Sequence, residues 1–373
     1  MDTLSKLQLL SDASRYDLSC ACGTKQSEDH RQRGGQGTWL YPVSLAGGGS
    51  SIMLKSLMSN VCVNDCKYCP FRSTMDVPRC SISPDEMANI FLEYVRREHV
   101  FGIFLTSGVV GSPDNTMRLL NDTVRILRKK HRYRGYVHIK IIPGASNAAI
   151  EEALSPAAAV SINIETPGPQ ALSNLSAKKD FMNDIIRPLK FIAEHTGKGA
   201  KYRRVKQTTQ FVVGASDETD SQIVKYTAGL YEKLGLSRVY YSAYQRGQGD
   251  PAIPGEKTAP VSVDAPFIRE HRLYQVDFLF RKYDFGLSDI HFDDQGALPL
   301  ETDPKQLWAD RHPEYFPVDL NHADKTRLLR VPGIGPLGAK RILDMRKERK
   351  LLRLDWLPVK GKRLETIKKY AVC

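Results

Sequence analysis

A chain of 373 residues, 41% of them hydrophobic, is long enough for one large domain and a smaller one. Its seven cysteines are odd in number and bunched, which argues against a secreted disulfide framework and for thiolates used as metal ligands. The formal net charge of +12 is concentrated: from Asp319 to Cys373 stand 15 Lys and Arg against 6 Asp and Glu, so this segment carries +9 and the rest only +3. Such a patch attracts polyanions, nucleic acid above all, or serves as a solvated face that keeps the protein soluble. The start, MDTLSKLQLLSDASRYD, lacks a signal-peptide core, and no apolar run approaches the ~20 residues that span a bilayer. A soluble cytoplasmic protein without a membrane partner is expected.

Residues 1–18 read as a short helix, and 20–50, rich in Gly, Ser and Gln, as an irregular arm. Within the arm, Cys20 and Cys22 form a C-x-C pair that could supply a hydrogen-donating thiol or an extra metal ligand. From Ser51 onward, short apolar runs alternate with longer amphipathic ones. Strands are predicted at 51–59, 100–108, 137–144, 159–167, 208–215 and 238–244, each rich in β-branched or aromatic residues. Helices are predicted at 83–99, capped by Ser83 with Pro84 at the first position, and at 114–132, 147–154, 178–195, 217–235 and 264–283. Six strand–helix units imply parallel pairing through crossovers. They are too few for an eight-fold barrel. The predicted fold class is therefore α/β, a partial (β/α)6 barrel with an open side, over 51–290.

A Gly/Pro loop at 245–263 follows the sixth strand. Residues 291–318, punctuated by proline, read as an extended linker, and 319–373 as a small all-α module. In that module Asn321 caps a helix running to Arg330, VPGIGPLG turns the chain, and Pro336 or Leu337 opens a second helix. Gly333 and Gly335 suit a tight turn with positive backbone angles and strip the turn of side chains. Its backbone N–H groups can then meet a phosphate oxygen, with Lys340 and Arg341 adding charge. A later stretch, DWLPVKGKRLETIKKY, looks like a second such turn around Gly361. The plainer reading is a helical hairpin used only for docking.

Residues 62–69, CVNDCKYC, directly follow the first predicted strand, where parallel α/β folds place their chemistry. Three thiolates can hold three irons of a four-iron cube and leave the fourth open, the mark of a catalytic centre. The alternative is a zinc site drawing a fourth ligand from Cys80, Cys20 or a histidine. In the fourth predicted strand, SINIETP, alternation puts Ser161, Asn163 and Glu165 on one face. Either they line a polar ligand site, or they lie under a helix with internal hydrogen bonds. Tyr240, Tyr241 and Tyr244 mark the sixth strand, where two of them could line a cleft or all could pack.

C-x3-C-x2-C with an aromatic residue before the last cysteine, after the first strand of this chain, resembles the radical S-adenosylmethionine (SAM) enzymes. The resemblance covers roughly 51–290. It implies that Cys62, Cys66 and Cys69 bind a 4Fe–4S cluster whose open iron chelates SAM. One electron from a donor such as flavodoxin or ferredoxin then yields a 5′-deoxyadenosyl radical that removes a hydrogen atom from substrate. It further implies that Tyr68 lies against the adenine and that Ser107 and Gly108 meet the SAM amino group, as a variant of the usual Gly-Gly-Glu. Ser161, Asn163 and Glu165 would bind the ribose or the substrate, Gly214 would lie beside the adenine, and Lys178 or Lys179 would meet the SAM carboxylate. Residues 319–373 resemble the helix–hairpin–helix motif of DNA repair and processing proteins, with Gly333, Ile334, Gly335, Gly338, Lys340 and Arg341 as the nucleic-acid-binding positions. The combination, with YDLSCACG near the start, resembles radical SAM proteins assigned to DNA modification or repair. The alternatives are an iron–sulfur DNA-binding protein without radical chemistry, and a radical SAM enzyme that modifies RNA.

Overall fold

The computed structural model describes residues 1–14, 39–44 and 49–373, so Cys20 and Cys22 lie outside the described residues. It divides into two compact units, Met1–Glu218 with Gly229–Glu270, and Thr219–Ala228 with His271–Cys373.

The first unit is built on one curled, open sheet, a half-barrel of seven strands in the order β1 to β7. These are β1 (Leu40–Ser44), β2 (Ser50–Leu57), β3 (Gly102–Thr106), β4 (Tyr136–Lys140), β5 (Ala159–Ser161), β6 (Lys206–Val213) and β7 (Arg238–Ala243). Strands β2 to β7 pair in parallel, while β1 pairs antiparallel with β2, Leu40 opposite Leu54. The sequence reading placed β1 inside an irregular arm, and the structure corrects that. Pro42 argues against a strand interior, but β1 pairs on one side only, and an edge tolerates proline.

Helices α1 (Thr3–Ser14), α2 (Pro84–Glu98), α3 (Pro113–Arg125), α4 (Asn147–Leu154), α5 (Pro169–Leu175), α6 (Arg187–Thr196) and α7 (Asp220–Leu234) lie before and between the strands. At α2, Ser83 accepts from the Glu86 N–H and Glu86 accepts from the Ser83 N–H, a complete capping box. The continuous helix predicted at 178–195 is instead a π-helical turn, Phe181–Ile186, followed by α6. Pro188 explains the change, because it has no N–H to carry an α ladder through that point. On the convex face of the sheet Leu54, Ile103, Ile139, Val160 and Val239 are fully buried, as are Phe91 of α2, Leu120 of α3 and Ile150 of α4. The alternate positions, Lys55, Phe104, His138, Ser161, Gln210 and Tyr240, face the concave interior.

Strand β5 is shorter than predicted. Its ladder stops at Ser161, and only an isolated bridge from Glu165 to Phe211 continues it. Glu165 has φ 65°, a left-handed conformation that no regular strand accepts. The Thr209 hydroxyl repairs the gap, donating to Ile162 O at 2.7 Å and accepting from Ile164 N at 3.0 Å.

After α8 (Pro254–Lys257) and α9 (Ala265–Lys282), the second unit contains α10 (Pro304–Arg311), so 291–318 is not the wholly extended linker expected. Asp303 caps α10 by accepting from the N–H groups of Lys305 and Gln306. Strand β8 (Val318–Asp319) pairs in parallel with β9 (Ala371–Val372). Between them α11 (Lys325–Arg330), α12 (Pro336–Glu348) and α13 (Lys362–Tyr370) enclose Leu320, Leu328, Val331, Ile342, Leu351 and Ile367. Asp324, not Asn321, caps α11; the Asn321 side chain instead pairs with both backbone groups of Leu351, at 2.9 Å each. Gly333 has φ 85°, as the turn requires, whereas Gly335 has φ −104° and is the extended N-cap of α12.

Candidate metal and cofactor site

Cys62, Cys66 and Cys69 lie in the loop beyond the carboxyl end of β2. That loop has little regular structure, so side chains from neighbouring segments fasten it. Arg79 is the main fastener: its guanidinium donates to the carbonyls of Asn60 (2.5 Å), Phe71 (2.8 Å), Arg72 (3.0 Å) and Met75 (2.9 Å). Asn60 closes the base of the loop, donating to Pro78 O and accepting from Cys80 N. From the other side, Asp65 accepts from Ser176 Oγ at 2.5 Å and Ala177 N at 2.9 Å. Lys178 Nζ donates to Val63 O at 2.6 Å, and Arg72 reaches both Cys69 O and Gln248 O. None of these fasteners was legible in the sequence, because each is a tertiary contact.

The sulfurs are held as metal ligands would be. Val109 N–H points at Cys62 Sγ (3.3 Å) and Phe71 N–H at Cys69 Sγ (3.4 Å). Burial pushes the Cys69 thiol up to about 12, with the charge of Cys66 reinforcing it, and burial also raises Cys66. A thiolate at Cys66 or Cys69 is therefore favoured by positive charge beside it, such as a bound metal supplies. Among the described residues no three His, Cys, Asp or Glu side chains converge on one ion position. A cube in which each thiolate holds its own iron needs no such convergence. Cys80 packs against α1, its Sγ 3.9 Å from Lys6 O, and does not line the cavity beside the loop.

That cavity, about 200 Å³, is lined by all three cysteines and by Tyr68, Ser107, Gly108, Asn163 and Glu165 among the sequence-predicted residues. Gly108 serves the loop itself: its N–H donates to Ser59 O at 2.7 Å, and a Cβ there would stand 2.5 Å from Val61 O. Glu165 pairs with Lys179 at 3.2 Å, and the Lys179 ammonium lies 5.9 Å from the centre of the Tyr68 ring. Burial alone would lower the Lys179 ammonium, but the charges of Cys66 and Glu165 outweigh it and hold the group protonated.

Two predicted residues lie elsewhere. Ser161 lines a second cavity, and Gly214 lines neither; it turns the chain after β6 with φ 88° and donates its N–H to Glu218. Of the three tyrosines, Tyr244 lines the first cavity and Tyr240 the second, while Tyr241 is buried and stacks on Phe211. Sequence reasoning missed Lys140, Gln210 and Gln248, which also line the first cavity. Gln248 Oε1 is buried there without a hydrogen-bond partner among the described residues. Three thiol ligands, N–H donors aimed at two of the sulfurs and an orphaned amide oxygen fit a cluster with a polar organic ligand beside it.

The predicted nucleic-acid residues fall in the second unit. Gly335 and Gly338 open α12 and Leu337 between them is 74% exposed. Ile334 is buried, and its carbonyl accepts from Lys305 Nζ at 2.6 Å. Lys340 is engaged by Asp344 at 2.8 Å on the same helix.

No curated protein matches the sequence. Among solved structures, the chain is similar to methylornithine synthase at 15% identity and TM-score 0.46, covering 60% of this chain and 62% of that one. It is similar to HydG, a maturase of the FeFe-hydrogenase, at 11% identity and TM-score 0.47, covering 85% and 80%. It is also similar to a radical SAM methyltransferase from Sphaerobacter thermophilus at 14% identity and TM-score 0.41, covering 63% and 75%. The family model described as the radical SAM superfamily matches residues 56–227, a span that holds all three cysteines and strands β3 to β6. Residues 56–227 thus match the radical SAM superfamily, a family that uses a 4Fe–4S cluster and SAM.

Proposed function

We propose that this radical SAM enzyme acts on nucleic acid, DNA in the first instance, in a modification or repair reaction. The observation that carries this reading is the +9 charge gathered on residues 319–373, the same segment that presents the glycine turn and the amino end of α12. We read α11, the turn and α12 as a helix–hairpin–helix. Gly335 and Gly338 carry no side chain at the start of α12, and a helix amino end favours a phosphate oxygen. Arg341 adds positive charge on the same helix. Binding of this kind reads the backbone and not the base sequence.

When bound, the cluster and SAM supply a 5′-deoxyadenosyl radical, the electron coming from a reductant such as flavodoxin or ferredoxin. The chain's own residues do the rest. Cys62, Cys66 and Cys69 hold the cluster, Arg79 and Asp65 fix the loop, and the Lys179–Glu165 pair presents a fixed charge distribution beneath it. A base stacked in a duplex is out of reach, so a flipped or single-stranded nucleotide is required.

The test has two arms, both on anaerobically reconstituted full-length protein. Reduction in the presence of SAM must release 5′-deoxyadenosine; a cluster that gives none reduces the protein to an iron–sulfur binding module. Single- and double-stranded DNA and RNA oligonucleotides must bind with affinity that falls steeply as salt rises. Failure of every oligonucleotide to bind removes the nucleic-acid reading, and tighter RNA binding with an altered RNA product moves it to RNA.

A further inference from the structure

The cavity beside the cysteines has on its wall a polar group that the protein leaves unpaired. Gln248 lines it, and Gln248 Oε1 is buried with no hydrogen-bond partner among the described residues. Other buried amide oxygens without a partner, Asn121 Oδ1 and Gln207 Oε1, belong to residues that line neither cavity. A buried acceptor left in this state is costly until a ligand supplies an N–H.

The backbone that carries Gln248 is fastened on several sides. Its carbonyl accepts from Arg72 Nη1 at 3.2 Å, and the same nitrogen donates to Cys69 O at 3.1 Å. Asp250 N–H donates to Lys67 O at 2.7 Å. The loop after β7 is thus tied to the segment that holds Tyr68 and Cys69. Glu256 fixes the residues on either side of Gln248. Its carboxylate accepts from Gly247 N at 2.8 Å, from Gly249 N at 3.2 Å and from the Tyr244 hydroxyl. Gly249 has no room for a side chain, since a Cβ there would run into the Tyr244 hydroxyl and stand 3.0 Å from Lys67 O. A carboxamide on so constrained a backbone is organised for its ligand in advance.

We propose that Gln248 reads the amino-bearing edge of an adenine ring, its Oε1 accepting from the exocyclic amine and its Nε2 donating to N7. A glutamine carboxamide matches that edge of adenine in the spacing of donor and acceptor. The rest of the lining suits a planar ring: Tyr68, Pro70, Phe71 and Tyr244 supply aromatic and apolar surface. Tyr68 packs against the cluster formed by Leu175, Ala215, Tyr244 and Ile253, so two of these rings sit in one apolar group. A site built to pair an amine rejects a ring that lacks it, because the acceptor is then left buried and unpaired. Adenine has two sources, SAM itself and a base of the nucleic-acid substrate, and both offer the same edge. Only the second source rests on the nucleic-acid reading above. Glu256 is a positioning residue, which acts on the ligand through the backbone at Gly247 and Gly249.

The test measures binding by equilibrium dialysis to anaerobically reconstituted full-length protein, with two pairs of ligands. The first pair is S-adenosylhomocysteine and its analogue with hydrogen in place of the exocyclic amine. The second is a single-stranded oligodeoxynucleotide containing one adenine and the same strand with unsubstituted purine at that position. In the wild-type protein the amine-bearing member of at least one pair should bind about tenfold more tightly. Gln248→Met should abolish that preference, chiefly by weakening the amine-bearing member. Glu256→Gln, which sets a donor against the N–H groups of Gly247 and Gly249, should lower the preference; a role in stability alone would weaken both members equally. Bound iron and the thermal midpoint report the fold of each variant. Loss of the preference in the first pair assigns the adenine to SAM, and in the second pair to the substrate. Equal binding within both pairs by the wild-type protein overturns the proposal without any variant, and so does a preference that survives Gln248→Met. If no oligonucleotide binds at all, the nucleic-acid reading falls by itself and the first pair still decides the role of Gln248.

Discussion

Lys179 and Glu165 form an ion pair at 3.2 Å with side chains only 7% and 5% exposed, directly beneath the loop that carries the three cysteines. Glu165 lines the cavity with its backbone at φ 65°, four residues past the end of β5. A buried pair of this kind is costly to break, since removing one partner strands the other charge. Lys179→Met is expected to destabilise the first unit by about 3–5 kcal/mol, whereas Lys179→Met combined with Glu165→Leu should recover much of the loss. Urea unfolding of Lys179→Met, Glu165→Leu and the double variant checks this; additive single and double losses would refute the coupling.

Replacing any one of Cys62, Cys66 and Cys69 with alanine should abolish deoxyadenosine release and sharply reduce bound iron after anaerobic reconstitution. Cys80→Ala should retain both, because Cys80 faces α1 and lies outside the cavity lining. Iron analysis and the cluster's visible absorbance provide the measurement. Loss of iron in the Cys80 variant would bring back the four-ligand alternative.

Arg79 gathers four carbonyls of the cysteine loop. Hydrogen bonds to a charged donor contribute about 1.5–3 kcal/mol each. Arg79→Met is expected to slow cluster reconstitution and lower final iron occupancy even though it removes no ligand. Arg79→Lys, which keeps the charge but not the planar fork, should recover little of that loss. Full recovery by lysine would mean that charge, and not the geometry of the fork, matters.

The parts legible in the sequence are those fixed by local chemistry. Cysteine spacing and its place after a strand located the loop; Ser83 with Glu86 announced α2; Asn147–Leu154 came out with the bounds read from NAAIEEAL. What escaped depends on distant partners. Thr209 patches the break in β5 from across the sheet, and Asp324 outcompetes Asn321 as a cap because Asn321 is taken by Leu351, thirty residues on. The aromatic and basic lining of the interior was hidden for a related reason. Lys55, Phe104 and His138 lie on three strands, each a single residue in an otherwise ordinary run, and only register sets them side by side.

Lys305 is nearly buried in the second unit, 4.7 Å from the Tyr283 ring centre and donating to Ile334 O at 2.6 Å. Burial lowers its ammonium to about 7, with Arg363 and Arg330 pushing the same way against Asp303. The unfolded chain, with its lysine near 10.5, binds more protons than the folded one between those values. Stability of the second unit should therefore rise as pH increases from about 7 to 10.5 and show no further dependence on this group below 7. Thermal unfolding across that range checks the slope, and Lys305→Met should flatten it. A slope that persists in the variant assigns the dependence to another group.

Gly333 and Gly335 lie two residues apart in one turn but answer to different constraints. At Gly333, φ is 85° and a Cβ would stand 2.8 Å from Ile367 Cγ1 and 3.1 Å from Arg363 O, so both backbone and packing exclude a side chain. Gly333→Ala should cost about 1–3 kcal/mol of second-unit stability through strain and overpacking. At Gly335, φ is −104°, open to any residue, and a Cβ would meet side-chain ends alone, the Tyr283 hydroxyl at 3.0 Å and the Arg363 guanidinium at 4.0 Å. Folding alone thus gives little reason for glycine there, whereas close approach of a phosphate to the amino end of α12 gives one. Gly335→Ala should leave the thermal midpoint nearly unchanged and weaken oligonucleotide binding. Fluorescence anisotropy beside calorimetry separates the two effects; unaltered binding in a stable Gly335→Ala protein would take the turn out of the nucleic-acid contact.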